Sequence, residues 1–211
     1  MVLSGLGGSA GCGDEAALQA HEDTVRCLAP ATSAVTNFAN GLSFSDHVGL
    51  GSFASAYPST ALAVDTPSAT MHVTGRVSTY SGVQVFFAAC VNASSFSGVE
   101  FSLGVSGTSS VTLGMITREN QPEPPTTTIG TCVPPDPNAP FASCYAASTR
   151  LTVMATPTPF SIPFASLAGG SPHASVNPAE LLAVYFDPGW ASGDAPFALD
   201  LTLSDLGFTP K

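Results

Sequence analysis

The sequence predicts an all-β fold, an antiparallel β-sandwich with at most one or two short helical turns. Three observations lead there. Apolar and polar residues alternate with a period of two in segment after segment, the signature of a strand with one face buried and one face wet. Turn residues punctuate those segments, among them 20 glycines and 18 prolines. The 211-residue chain is 44% hydrophobic but only 9% charged, a composition that suits a β-rich domain better than a helical enzyme. A chain of this length fits one sandwich with a sizeable core.

The strands follow in order from Val35. In "TMHVTGRV", Met71, Val73 and Val77 alternate with His72, Thr74 and Arg76. In "GVEFSLGVSG", Val99, Phe101, Leu103 and Val105 alternate with Glu100, Ser102, Gly104 and Ser106. "SVTLGMITR" repeats the pattern through Val111, Leu113 and Met115, and "RLTVMA" and "FSIPF" come next. "NPAELLAVYF" opens with Asn177 as a cap, Pro178 at the first helical position and Glu180 three residues after the cap. It reads as a single turn leading into a strand over Leu182 to Phe186. The closing strand places Leu199, Leu201 and Leu203 on one parity and Leu206 and Phe208 on the other. A one-residue slip at Ser204-Asp205, a β-bulge, reconciles them. Residues 117–144 form the one long irregular segment, too rich in proline to sit centrally in a sheet.

Residues 1–33 are rich in Gly, Ala and Ser and read as a signal remnant and linker ahead of a sandwich over 34–211. Gly11-Cys12 resembles the end of a bacterial lipoprotein signal, whose cysteine is lipidated, although the basic and most of the apolar regions are missing and Ser9 stands where Leu is usual. With Cys12 as an anchor, Cys27, Cys90, Cys132 and Cys144 remain, and four cysteines allow three pairings. The short separation favours Cys132 with Cys144, which leaves Cys27 with Cys90. The first pair brackets eleven residues that include four prolines. A metal site has little support there, since no C-x-x-C is present and histidine is distant. Disulfides in turn imply an oxidising compartment.

Other classes are excluded by what the chain lacks. Five Lys and Arg against a net charge of −10 give no footing for nucleic acid. No run of about 18 apolar residues exists for a membrane-spanning helix, so the membrane enters only through an anchor at Cys12. The pattern G-x-S-x-G occurs at "GGSAG" but follows no strand, so it is not a nucleophile elbow. His21, His47, His72 and His173 show no metal-ligand spacing. Glu100, Asp187, Asp194, Asp200 and Asp205 supply carboxylates, and nothing marks two of them as a hydrolytic pair.

The segment from His72-Val73-Thr74-Gly75 to Ser94–Gly107, with "PFASLAGG" at Pro163–Gly170 and the closing "SDLGF" at Ser204–Phe208, resembles extracellular carbohydrate-binding jelly rolls. These are galactose-binding-like folds related to the family-11-type modules of cellulases, here similar to secreted or lipoprotein versions from Gram-negative soil bacteria. The resemblance covers roughly residues 35–210. Where the family often opens with an acidic Asp-Phe strand, this chain has Asn37-Phe38. The resemblance implies an exported protein at the extracellular, periplasmic or outer-membrane surface. It also implies a structural Ca²⁺ near Asp205, although calcium wants six to eight oxygens and Asn37 lowers the charge there.

Sugar binding needs flat aromatic rings beside amides and carboxylates that fix hydroxyls. Trp190, the one tryptophan, sits in "DPGWASGDAP" with Asp187 and Asp194 beside it. Tyr145 stands at the foot of the cysteine-bracketed loop, and Tyr57 and Tyr80 lie at turns. Glu100, Ser102, Gly104 and Ser106 read as a smooth polar strip for a glycan chain. The expectation is non-catalytic binding of a polysaccharide or surface glycan through Trp190, Tyr145, Glu100, Asp187 and Asp194. The alternatives are a structural or adhesive surface protein without a sugar site and, behind it, a polysaccharide-active enzyme.

Overall fold

The computed structural model describes residues 26–39, 41, 52–57, 62–124, 129–189 and 195–211. These residues form eleven strands: β1 Ala34–Thr36, β2 Ser52–Tyr57, β3 Leu62–Asp65, β4 Met71–Val77, β5 Gly82–Val91, β6 Phe96–Ser106, β7 Ser110–Thr117, β8 Ala147–Thr152, β9 Thr158–Pro163, β10 Leu181–Asp187 and β11 Phe197–Pro210. One sheet runs β3-β4-β11-β6-β9, with β1 also paired to β11, and the other runs β2-β5-β10-β7-β8. Every pairing between these strands is antiparallel. The two sheets close on their apolar faces, as the period-two pattern requires.

The core comes from the predicted parities. Met71, Val73, Val99, Leu103, Val111, Leu113 and Met115 are all fully buried. Aromatic rings join the layers: Phe101 of the first sheet meets Phe186 of the second edge-on, with centroids 5.2 Å apart. Phe208 lies between Phe87 at 6.0 Å and Phe96 at 5.3 Å. Burying each such ring is worth about 2–3 kcal/mol.

The closing strand slips where its parity changes. Ser204 opposes Ser102 while Gly207 opposes Glu100, so one extra residue is accommodated, and Asp205 adopts φ 54°. Before the slip β11 pairs with β4, from Phe197 to Leu203; after it, Leu206 and Gly207 pair with β1. The bulge therefore changes the neighbour of β11 and keeps Leu206 and Phe208 in the core.

Helical structure among the described residues is limited to four three-residue 3-10 turns, at Pro67–Ala69, Arg118–Asn120, Pro140–Ala142 and Phe164–Ser166. That is more turns than expected, and none falls at Asn177. There the chain makes a hydrogen-bonded turn: the Glu180 N–H donates to the Asn177 carbonyl at 3.2 Å, and the Ala179 N–H donates to the Asn177 side chain at 3.1 Å. The turn stops because β10 begins at Leu181.

Both expected disulfides are present, Cys27–Cys90 and Cys132–Cys144. The first ties residues 26–33 to the sandwich, where the Leu28 N–H donates to the Cys90 carbonyl and the Asn92 N–H to the Leu28 carbonyl, both at 2.9 Å. The second closes the proline-rich loop ahead of β8, whose feet are pinned by the bridges Pro122–Cys132 and Tyr145–Ser171. Cys12 lies outside the described residues.

Candidate functional site

The outer face of the second sheet carries the residue types that sugar binding needs. Val111, Leu113 and Met115 of β7 and Val184 and Phe186 of β10 point into the core. Alternation therefore turns Thr112, Gly114 and Ile116, and Ala183, Tyr185 and Asp187, outward. On β8, Ala147 and Leu151 face the core, which leaves Ser148 and Arg150 outside. On β5, inward Val83, Val85 and Phe87 leave Gln84 and Phe86 outside.

Register aligns these positions into rows across the strands. Gln84 opposes Tyr185, Tyr185 opposes Gly114, and Gly114 opposes Ser148. In the next outward row Asp187 opposes Thr112, which opposes Arg150. Adjacent strands lie about 4.8 Å apart, so Gln84 to Ser148 spans roughly 14 Å.

Tyr185 is the centre of this face. A Cβ placed on Gly114 would lie 2.0, 2.1 and 2.4 Å from Cε1, Cζ and the hydroxyl oxygen of Tyr185. The ring thus lies across β7 on bare backbone, and only glycine permits that approach. Its phenol end points along the row toward β8, where Ser148 is the cross-strand partner of Gly114. Burial, first, and the neighbouring Tyr80 phenol push the Tyr185 pKa up to about 12, against the opposing influence of the Ser148 side chain. Tyr185 is therefore a neutral ring throughout the physiological range. Tyr80 itself is 59% exposed.

Polar groups surround the ring. Asp187 is buried to 8% exposure; desolvation raises its pKa, and the Gly189 N–H, donating to its Oδ1 at 2.7 Å, partly offsets the rise. Arg150 is exposed and donates to the Ser110 hydroxyl at 2.6 Å. An aromatic ring with an amide, a carboxylate, a guanidinium and hydroxyls at its sides can stack on the C–H face of a sugar and bind its hydroxyls.

The residues expected to form the site are divided among separate places. Asp187 lies on this face, at the end of β10. Trp190 and Asp194, which follow it, lie outside the described residues. Tyr145 is exposed at the foot of the disulfide loop, its N–H and carbonyl paired with Ser171 at 3.0 and 2.9 Å. Glu100 is exposed on the outer face of the other sheet.

The polar strip around Glu100 is not smooth. Gly104 is buried, because Ala155 and Pro157 lie over it, within 2.9 Å of where a Cβ would stand. What remains is a shallow depression of about 390 Å³ lined by Phe101 and Phe160 together with Glu100, Ser102, Pro159, Ser161 and Asp205. The Asp205 carboxylate accepts from the Ser204 hydroxyl at 2.8 Å. Among the described residues no group of three or more His, Cys, Asp or Glu side chains suits a metal ion. His72, on the same sheet, stands between Asp200 at 3.0 Å and Asp65 at 3.6 Å.

Sequence reasoning missed Tyr185, Gln84, Ser148 and Arg150 as a group. The one local signal was Gly114 in mid-strand, where a glycine marks a close approach by something else.

Among solved structures, the chain is similar to the family 11 carbohydrate-binding module of the cellulosomal cellulase Lic26A-Cel5E of Clostridium thermocellum. The likeness covers 84% of this chain and 94% of that one, at 9% identity and a TM-score of 0.53. A family 11 module from Clostridium thermocellum in complex with a β-1,3-1,4-mixed-linked tetrasaccharide is similar over 81% of this chain and 95% of that one, at 10% identity and a TM-score of 0.48. A structure titled "CBM4 structure and function" is similar over 85% of this chain and all 100% of its own, at 9% identity and a TM-score of 0.46. No protein-family model and no curated protein matches the chain. The likeness is one of fold: the chain shares the β-sandwich jelly-roll architecture of the first of these structures.

Proposed function

We propose that this protein is a non-catalytic module that binds a glycan chain on the outer face of the second sheet, with Tyr185 as the stacking platform. The observation that carries the reading is the ring of Tyr185 laid over Gly114, with Gln84, Ser148, Asp187 and Arg150 around it. The depression on the first sheet also has rings in its lining, Phe101 and Phe160, but both pack with the core, and its outward residues offer carboxylates and hydroxyls. The family 11 module of similar fold is named for carbohydrate binding, which supports the same use of the scaffold. Two disulfides favour a site of action outside the reducing cytoplasm, in a secreted or surface-held protein.

The test is electrophoretic retardation of the full chain in gels containing soluble β-glucans, xylan, mannan or α-glucans. Retardation by at least one polysaccharide is expected, and Tyr185→Ala should abolish it while the β-sheet circular dichroism persists. A folded wild-type protein that runs unretarded in every gel would refute the reading and leave a structural or adhesive role.

A further inference from the structure

Flat presentation of an aromatic ring on a β-sheet is not the default. Side chains on strands stand roughly perpendicular to the sheet, and a ring on a central strand normally packs upright between its neighbours. Tyr185 departs from this for two reasons visible in the register. Its cross-strand partner on β7 is Gly114, which has no side chain to hold the ring up. The partner beyond that is Ser148, a short hydroxyl residue that can meet the phenol end without displacing it.

We propose that Gly114 and Ser148 are positioning residues for the binding face: the first removes the obstacle beneath the ring, and the second fixes its far end, so that Tyr185 offers a ring face to the ligand. Two ring carbons, Cε1 and Cζ, and the hydroxyl oxygen of Tyr185 stand 2.0, 2.1 and 2.4 Å from the missing Gly114 Cβ, a set of distances that puts that Cβ position beneath the phenol end of the ring. The placement also leaves Gln84, on the opposite flank of Tyr185, uncovered by the ring and available to a sugar hydroxyl. The ring leans toward β8, so the amide and the platform lie side by side along one row. This inference rests on the reading of the face as a glycan site, but its geometric half can be measured without any ligand.

The experiment compares wild type with Ser148→Ala, Tyr185→Phe, the double variant and Gly114→Ala. A ring lying over Gly114 should shift the Gly114 Hα resonances upfield in the NMR spectrum. That shift should shrink in Ser148→Ala and Tyr185→Phe, with the double variant no worse than either single one, as expected for two halves of one interaction. Retardation by mixed-linkage β-glucan, or by whichever polysaccharide of the panel retards the wild type, should weaken several-fold in these variants. In Gly114→Ala it should weaken by about tenfold or more. Unshifted Gly114 resonances in the wild type would overturn the proposal. So would unchanged retardation in Ser148→Ala and Tyr185→Phe while Tyr185→Ala abolishes it, an outcome that leaves the glycan reading standing. A wild type that no polysaccharide retards would end the glycan reading, and with it the ligand half of the proposal, while the NMR shift still decides whether the ring is held flat. Should Gly114→Ala fail to fold, the Ser148 and Tyr185 variants decide the matter alone.

Discussion

Asp205 occupies the left-handed region at φ 54°, which costs most residues with a Cβ about 1–2 kcal/mol. Aspartate suffers less than others there because its short polar side chain bonds locally, as the Ser204 hydroxyl does here. The conformation is imposed by the bulge, since β11 must shift by one residue to keep Leu206 and Phe208 buried. Asp205→Gly should therefore be at least as stable as wild type in urea unfolding. Asp205→Val should lose about 1–2 kcal/mol. Equal midpoints for Asp205→Val and wild type would show that the turn of the chain here is set by something other than this residue's backbone. The slip was legible beforehand because Leu203 and Leu206 have opposite parity, and no regular strand can bury both. The same arithmetic could not reveal Tyr185. "LLAVYF" is apolar on both parities, as a strand flanked on both sides is, so nothing local separates its inward Phe186 from its outward Tyr185.

At the scale of elements, the two disulfides act on different parts. Cys27–Cys90 spans a sequence separation of 63 residues and Cys132–Cys144 one of 12. In the chain-entropy model these closures stabilise by about 4 and about 3 kcal/mol. Replacing Cys132 and Cys144 together by serine should lower stability by up to that amount and leave the β-sheet signal intact, because the loop lies outside the strands. Replacing Cys27 and Cys90 should cost more and also release the Leu28 pairing from Val91, which hydrogen exchange at Asn92 would report. A larger loss for the Cys132 pair than for the Cys27 pair would contradict this ranking. The loop's closure was readable from cysteine spacing. Its place was not, because that depends on Ser171 pairing with Tyr145, 26 residues away by their numbers. The strip over Ser102 and Gly104 was misjudged for the same reason. Its alternation was read correctly, but its cover comes from Ala155 and Pro157, half a hundred residues on.

For the whole molecule, charge is unevenly distributed over the two outer faces. The first sheet carries Asp65, Asp200, Asp205 and Glu100, countered by Arg76, whereas the second carries Asp187 and Arg150 on the rows described above. With a net charge of −10, the protein should repel polyanions at low salt. Retardation by a neutral polysaccharide should change little as ionic strength rises to roughly 0.5 M, because stacking and neutral hydrogen bonds are not screened. Affinity that falls steeply over that range would mean that charge, not the ring, dominates recognition. The fold was legible because each strand declares its own period. The binding row was not, because it is assembled from β5, β10, β7 and β8, whose order in the sheet differs from their order in the chain. That order has a further consequence at β11. This strand is central to its sheet, joining β4, β6 and β1, yet it is the last of the eleven to be synthesised. The first sheet cannot be completed until β11 has left the ribosome, so β4 and β6 stay unjoined until that last strand arrives between them.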